Sequence, residues 1–352
     1  MPLVSVVMSI YNDGHYVSQA VESILAQSFR DFEFLIVDDG CTDNTREVLS
    51  RYRDDRIRLI VNEKNLGLAP SLNKAIRHSC AKYIARQDAD DISLPDRLER
   101  EIACLETQPD ICIVGSSAII ISDSSVPKGH WSVPSEDVDL KWQLLFRNPF
   151  IHSSVMLRRS ILERAGYYPD DPQIFRAFVE DYDLWSRMNR IDRSTNFSTP
   201  LLKFRRHPTS ASVRTHEQQM YQMDVIAKQN VCWILGWDEM DPLVWRRLRL
   251  FLLTSPEAGV ELSQADVREV LSFLQLLQHA FYKKYNFSKA EMSSHRSRSS
   301  WLWGKHAVAL ACRGIGRCSP GCRLRLLVSG AKLLSNTVTA RWSDGVRKSG
   351  RV

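Results

Sequence analysis

The chain has 352 residues, 44% hydrophobic and 25% charged, a globular composition with room for one large domain plus a smaller one, or for two ordinary domains. No apolar run approaches the roughly 20 residues of a membrane span, and Met1-Pro2-Leu3-Val4 enters a strand pattern without a signal-peptide core, so a cytosolic protein is expected. The net charge of +6 is uneven: residues 293–352 carry 12 Lys or Arg against one acid, Asp344, leaving −5 on the remainder and marking a basic tail suited to an anionic surface. The cysteines at 41, 80, 104, 112, 232, 312, 318 and 322 form no CxxC pair and suit reduced thiols. Cys312, Cys318 and Cys322 lie closest together but have no partner at zinc-site spacing.

Residues 3–8, Leu-Val-Ser-Val-Val-Met, read as a short buried strand, and Val17, Ala20, Val21, Ile24 and Leu25 then share one helical face. A second strand, Glu33 to Val37, ends at Asp38-Asp39-Gly40. The next helix is expected near Thr42-Asp43, which can cap free amides, with Val48 and Leu49 inward. A third strand, Ile57 to Val61, leads through Asn65-Leu66-Gly67 to a helix carrying Leu72, Ala75 and Ile76. The fourth, Lys82 to Gln87, delivers Asp88-Ala89-Asp90-Asp91, and the helix after Pro95 carries Leu98, Ile102 and Leu105. This alternation calls for right-handed crossovers and a mostly parallel α/β sheet with helices on both faces. Ligands of such sheets sit beyond the carboxyl ends of the strands, where Tyr11-Asn12, Asp38-Asp39 and Asp88 to Asp90 all fall.

Residues 112–122 read as another strand with an irregularity at Gly115, and 124–135, holding Pro127, Gly129 and Pro134, as a cover or hairpin. A helix near Val138 to Phe146 precedes Asn148-Pro149-Phe150-Ile151-His152, and Ser153 to Leu157 reads as a strand. Glu180-Asp181-Tyr182-Asp183 opens a helix with acids in its first turn, favourable for the helix dipole. From Thr215 the pattern is all-helical, with apolar faces over Met220 to Leu235, Leu243 to Thr254 and Ser263 to Tyr285. The expected organisation is a catalytic α/β domain at 1–214 and a helical region at 215–352.

Three carboxylates within Asp88 to Asp91 repel one another by a few kcal/mol at an effective dielectric of roughly 20, so a cation belongs beside them. A hard divalent metal holding a diphosphate is one reading. A solvated turn capping the next helix is the other, since Asp91-Ile92-Ser93 before Pro95 is also helix-start chemistry. No GxGxxG follows the first strand and no GxxxxGK[ST] occurs, which argues against a dinucleotide dehydrogenase or a P-loop enzyme.

Taken together, Pro2 to Asn12, Asp38-Asp39-Gly40-Cys41-Thr42-Asp43, Asn65-Leu66-Gly67, Asp88-Ala89-Asp90-Asp91 with Pro95-Asp96-Arg97, and Glu180-Asp181 resemble, in order and spacing, the inverting GT-A glycosyltransferases of family 2. The resemblance covers roughly residues 2–210 and is nearest to bacterial enzymes that build capsular, exopolysaccharide or O-antigen repeats. Cys41 departs from it, standing where the family commonly has Ser.

The resemblance implies a GT-A, Rossmann-like fold and a set of roles. Tyr11 would border the nucleobase, Asp39 would accept from a base N–H, and Asp88 would face the ribose or the water shell of a metal. Asp90 would bind Mn²⁺ or Mg²⁺, which keeps several waters and needs few carboxylates. His207, in an Arg-x-His segment after a final strand at Pro200 to Phe204, would join the metal or diphosphate. Asp181 would be the general base, with Glu180 and His152 near the acceptor. Bland alternatives stand beside these: a strand-end aromatic for Tyr11, helix-start charge for Glu180-Asp181, and structural histidines at 152 and 207. Arg86 and Arg97 flank the acidic cluster, to balance its charge or reach phosphate, and Asp91 is left to cap the following helix.

The activity so implied is metal-dependent transfer of a sugar from a nucleotide-sugar donor, a UDP-sugar first, to a hydroxyl of a glycan or lipid-linked saccharide in cell-surface polysaccharide synthesis. The rival from another class is a catalytically silent nucleotide-sugar or glycan binding scaffold at the membrane. Trp301-Leu302-Trp303 and Leu324, Leu326, Leu327, Leu333 and Leu334, interleaved with Arg323, Arg325 and Lys332, suit either an amphipathic surface on the inner face of the cell membrane or a subdomain packed on the core. Nucleic acid is a poor fit, because no matching fold accompanies the charge.

Overall fold

β1 (Val4–Ile10) is buried at every position because it lies inside the sheet, between β2 (Phe32–Asp38) and β4 (Tyr83–Arg86). On one face its Val4, Val6, Met8 and Ile10 join Val17, Ala20, Val21 and Ile24 of α1 (Val17–Leu25) and Leu98, Ile102 and Leu105 of α4 (Arg97–Thr107) in one core. Spacings of three and four place those side chains on a single helical stripe. α2 (Thr45–Leu49) adds Val48 and Leu49 to that core, and α3 (Leu68–His78) packs against β1 and β2. β3 (Ile57–Val61) is the outer strand and leaves Leu59 and Val61 exposed.

The computed structural model describes residues 1–169, 179–208, 210, 215–252 and 262–299. β5 (Ile92–Ser93), β6 (Ile111–Ile121), β7 (Pro127–Trp131), β8 (Met156–Arg158) and β9 (Arg193–Arg205) complete a nine-stranded sheet in the order β3-β2-β1-β4-β8-β6-β9-β5, with β7 beside β6. The pairings set β1, β2, β3, β4, β6 and β9 in one direction and β5, β7 and β8 against them, a mostly parallel mixed sheet. α5 (Asp137–Gln143), α6 (Arg159–Ala165) and α7 (Glu180–Met188) flank its second half. The direction of β9 brings the segment after Arg205 to the same end of the sheet as the segments after β1, β2 and β4.

Three local expectations change. The strand expected over Ser153 to Leu157 divides into a 3-10 turn, His152–Ser154, and β8. The stretch at 124–135 is a hairpin, β6 to β7. Asp91 caps no helix, because β5 intervenes before α4; it is buried and accepts from Arg205 N at 2.8 Å and from Ser153 Oγ.

The chain divides into two compact units, Met1–Asn230 and Val231–Val352, within α8 (His216–Leu235). In the second unit α9 (Pro242–Leu252) and α10 (Gln264–Tyr285) bury Trp245, Leu248, Phe251, Val270, Phe273, Leu274 and Phe281. α10 opens on a reciprocal capping box between Ser263 and Asp266, and residues 289–299 are helical. Among the described residues no helix is long and apolar enough to cross a membrane. The tail from Trp301 onward, with Cys312, Cys318 and Cys322, lies outside the described residues.

Candidate active site

At the ends of β1 and β2, Tyr11 is half exposed at 50% and Asn12 takes φ 56°, a left-handed conformation that asparagine tolerates. That turn lets Asn12 Oδ1 accept from Thr42 N at 2.8 Å and Asp43 N at 3.3 Å. Cys41 fits the same turn: it accepts from Asn12 N and donates to Ile10 O, and burial pushes its thiol up to about 11, so it stays protonated. Asp39 is 2% exposed, and its carboxylate accepts from Asn62 Nδ2 at 2.8 Å, Leu66 N at 2.9 Å and Gly67 N at 2.9 Å. It therefore ties down the Asn65-Leu66-Gly67 loop.

Gly40 makes this approach possible. It sits at φ +76°, and a Cβ there would stand 2.7 Å from Asn65 N and from the Lys64 carbonyl carbon. Both obstacles are backbone. Gly40→Ala is expected to cost about 2 kcal/mol from the left-handed conformation alone, and to displace the 64–67 loop. Thermal unfolding checks it; an unchanged midpoint would mean that the turn can relax.

Beyond β4, Asp88 and Asp90 keep 28% and 21% of their side chains exposed. Asp88 Oδ1 accepts from Arg86 Nη2 at 2.5 Å, and Asp90 Oδ2 accepts from His207 Nε2 at 3.0 Å. That bond raises the pKa of His207 above the ordinary histidine value against the effect of its burial. Asp13 faces the same acids: burial first, then Asp90, pushes its carboxyl up to about 7. A negative potential strong enough to hold a carboxyl protonated is one that a cation would relieve. Among the described residues no three His, Cys, Asp or Glu form a closed metal cage. Asp90 and His207 instead make an open pair, which fits Mn²⁺ or Mg²⁺ taking its other ligands from phosphate and water.

Arg205 braces this corner from a fully buried position. Its Nε donates to Asp90 O at 2.8 Å, Nη1 to Ser122 O, Asp123 O and Ser125 Oγ, and Nη2 to Gln19 Oε1 at 2.6 Å. The guanidinium lies over the Tyr16 ring, whose hydroxyl donates to Asp123. One side chain thus joins α1, the β6–β7 hairpin and the acidic cluster.

On the other flank, Asp181 Oδ2 accepts from Asn148 Nδ2 at 2.7 Å and Oδ1 from Tyr182 N at 2.7 Å. Burial raises both members of the Glu180–Asp181 pair: Asp181 to about 7, and Glu180, which Asp181 also repels, to about 8. His152 Nε2 lies 3.0 Å from Tyr168 Oη, and its ring meets Trp185 edge-on. Burial, then Arg86, drives His152 down to about 3, so it is neutral. The charges of Asp88 and Arg86 reach Glu180 and Asp181, which sets the two flanks side by side.

Asp88, Asp90 and His207 therefore gather at one corner, with Glu180, Asp181 and His152 beside them, and Tyr11 and Asp39 at the ends of β1 and β2. Arg97 does not reach for phosphate. It is fully buried and donates to Glu101, Gln87 Oε1, Ser93 Oγ and the carbonyls of Arg86 and Val155. Asp13, Tyr16 and Asp123 carry no sequence signal of their own and emerge only from proximity. Asn148 lies in a segment already marked by its Pro and His, yet its bond to Asp181 spans 33 residues.

A mostly parallel sheet with paired acids beyond its strand ends and a cradled carboxylate on the facing helix defines a group-transfer enzyme acting on a diphosphate-activated donor. The model described as "Glycosyl transferase family 2" matches residues 5–166. A glycosyltransferase of Haemophilus influenzae is 32% identical over 248 residues, 67% of this chain and 75% of that protein. The Escherichia coli protein WfgD, named a UDP-Glc:α-D-GlcNAc-diphosphoundecaprenol β-1,3-glucosyltransferase, is 29% identical over 227 residues, 64% of this chain and 85% of its own length. The crystal structure of Staphylococcus aureus TarS 1–349 with UDP-GlcNAc has a similar fold, at TM-score 0.56 and 17% identity over 88% of this chain and 91% of that one. The chain spans 64% of one further relative and 38% of another. The chain belongs to glycosyltransferase family 2 and is a glycosyltransferase.

Proposed function

We propose that the enzyme transfers a sugar from a UDP-sugar, with inversion and with the help of Mn²⁺ or Mg²⁺, to a hydroxyl of a lipid-linked saccharide in cell-surface polysaccharide synthesis. The observation that carries this is the pairing of two acidic flanks: Asp88 and Asp90 with His207 on one, and Asp181, held by Asn148, on the other. The donor class follows the UDP-Glc and UDP-GlcNAc of the WfgD and TarS names, and the acceptor class the diphosphoundecaprenol of WfgD.

Asn148 and the Tyr182 amide fix the Asp181 carboxylate, so its remaining lone pairs can take the proton of an acceptor hydroxyl as that oxygen attacks the anomeric carbon. Attack opposite the departing diphosphate inverts that carbon. Tyr11 offers a ring face to the base, Asp39 holds the loop beside it and keeps an acceptor position for a base N–H, and Asp88 faces the ribose. Asp90 and His207 are the side chains that would hold the metal, which when bound offsets the charge of the leaving diphosphate. Glu180 and His152 border the acceptor. The basic stretch at 293–352 supplies charge for an anionic inner leaflet. We place the protein in the cytoplasm on that basis and take 1–214 as the catalytic domain. A silent scaffold would have no use for a carboxylate so carefully oriented.

The test is release of nucleoside diphosphate from a panel of nucleotide sugars with Mn²⁺, with and without an undecaprenyl-diphosphate-linked saccharide. Release from a UDP-sugar that chelation stops is expected. Folded protein that releases none from any donor overturns the reading.

A further inference from the structure

We propose that the Arg86 guanidinium is a positioning group, the shared counter-ion of both acidic flanks: it holds Asp88 on the donor side and stabilises the charged forms of Glu180 and Asp181 on the acceptor side. The proposal rests on Asp181 being the base.

Arg86 is fully buried at the end of β4, so its charge cannot be met by water. Its backbone is held on both sides, with N donating to Val155 O at 2.9 Å and O accepting from Arg97 Nη2 at 2.8 Å. Only Nη2 finds a side-chain partner, Asp88 Oδ1. Nε and Nη1 are buried without a hydrogen-bond partner, although an unmet buried donor is costly. A cation in that state is tolerable only where negative potential surrounds it. The groups that share its neighbourhood are Asp88 on its own segment, His152 on the 3-10 turn, Tyr168 after α6, and Glu180 and Asp181 on α7. His152 is neutral, and burial raises the pKa of the Tyr168 phenol, so the two α7 carboxylates are the anions left to balance it.

The sign follows from the raised carboxyls. Below their folded pKa values both are protonated and gain nothing from a cation; above them each is a buried charge that needs one. Arg86→Met should therefore lower the unfolding midpoint more at high pH than at low, the deficit growing by about 3 °C between about pH 5.5 and about pH 8.5. In a Glu180→Gln, Asp181→Asn background that growth should vanish, and Arg86→Lys, which keeps the charge, should show little of it. A deficit independent of pH overturns the proposal. If Arg86→Met folds only in the neutral background, the counter-ion role stands; if it fails in both, Arg86 is a packing element and the proposal falls. The base reading is tested separately: Asp181→Asn that still releases nucleoside diphosphate with acceptor removes the base and leaves the midpoint result intact, whereas an inactive Asp181→Asn beside a pH-independent Arg86→Met deficit removes only Arg86.

Discussion

Asp181→Asn is expected to lower kcat for transfer by a factor of about 10² to 10⁴, the usual worth of a positioned general base, while nucleotide-sugar binding stays near that of the native protein. Asparagine keeps the shape and can still accept from Asn148 and the Tyr182 amide through its one oxygen, but it cannot take a proton. In the native enzyme the base must be ionised, and burial raises it to about 7, so activity should rise with pH through neutrality and level off above it. The variant should lack that limb. It should also be more stable at high pH. A carboxyl whose folded pKa exceeds its unfolded value loses stability as pH rises through the interval between them. Removing that charge should gain about 1–2 kcal/mol near pH 8, discounted for its partial exposure, and nothing near pH 4. Transfer rates and unfolding midpoints across that range decide it; a fully active variant would place the base elsewhere.

Asp90→Asn is expected to abolish the rise in unfolding midpoint that a UDP-sugar and Mn²⁺ together produce in the native protein, and to cut kcat/KM by about 10²-fold or more. The fold should survive without ligand. The substitution removes the largest like-charge neighbour of Asp13, and the lost bond to His207 is partly exposed, so the midpoint of the unliganded variant should match or exceed the native one. A retained Mn²⁺-dependent shift would show that Asp90 is not a ligand and would move attention to Asp13 and Asp88.

What the sequence could disclose depended on distance along the chain. The strand and helix pattern from Val4 to Thr107 followed from periodicity, because each element there is long enough to show its period. β5 and β8, with two and three residues, are too short for any alternation, so their opposed directions were illegible. Asp91 looked like a cap because its neighbours in sequence suggest one. Its actual partners, Ser153 and the Arg205 amide, are 62 and 114 residues away. Arg97 with Glu101 is an i,i+4 pair that on sequence reads as a solvated helix face, yet both are fully buried. The acids of the site could be found from their clustering and from the family resemblance, but the groups that orient them, Asn148, Arg205 and Asp13, are ordinary residues until the fold assembles them.

The seam between β4 and β8 has a bearing on how such an enzyme diversifies. Only three rungs, Tyr83 to Arg158, Ile84 to Leu157 and Ala85 to Met156, join the strand that ends in the acidic cluster to the stretch leading to Asn148 and α7. The nucleotide half is thus encoded before residue 92 and the half facing the incoming hydroxyl after residue 147. A gene built this way can exchange the later stretch, by drift or recombination, and change what is glycosylated while inheriting the activated-sugar half unaltered.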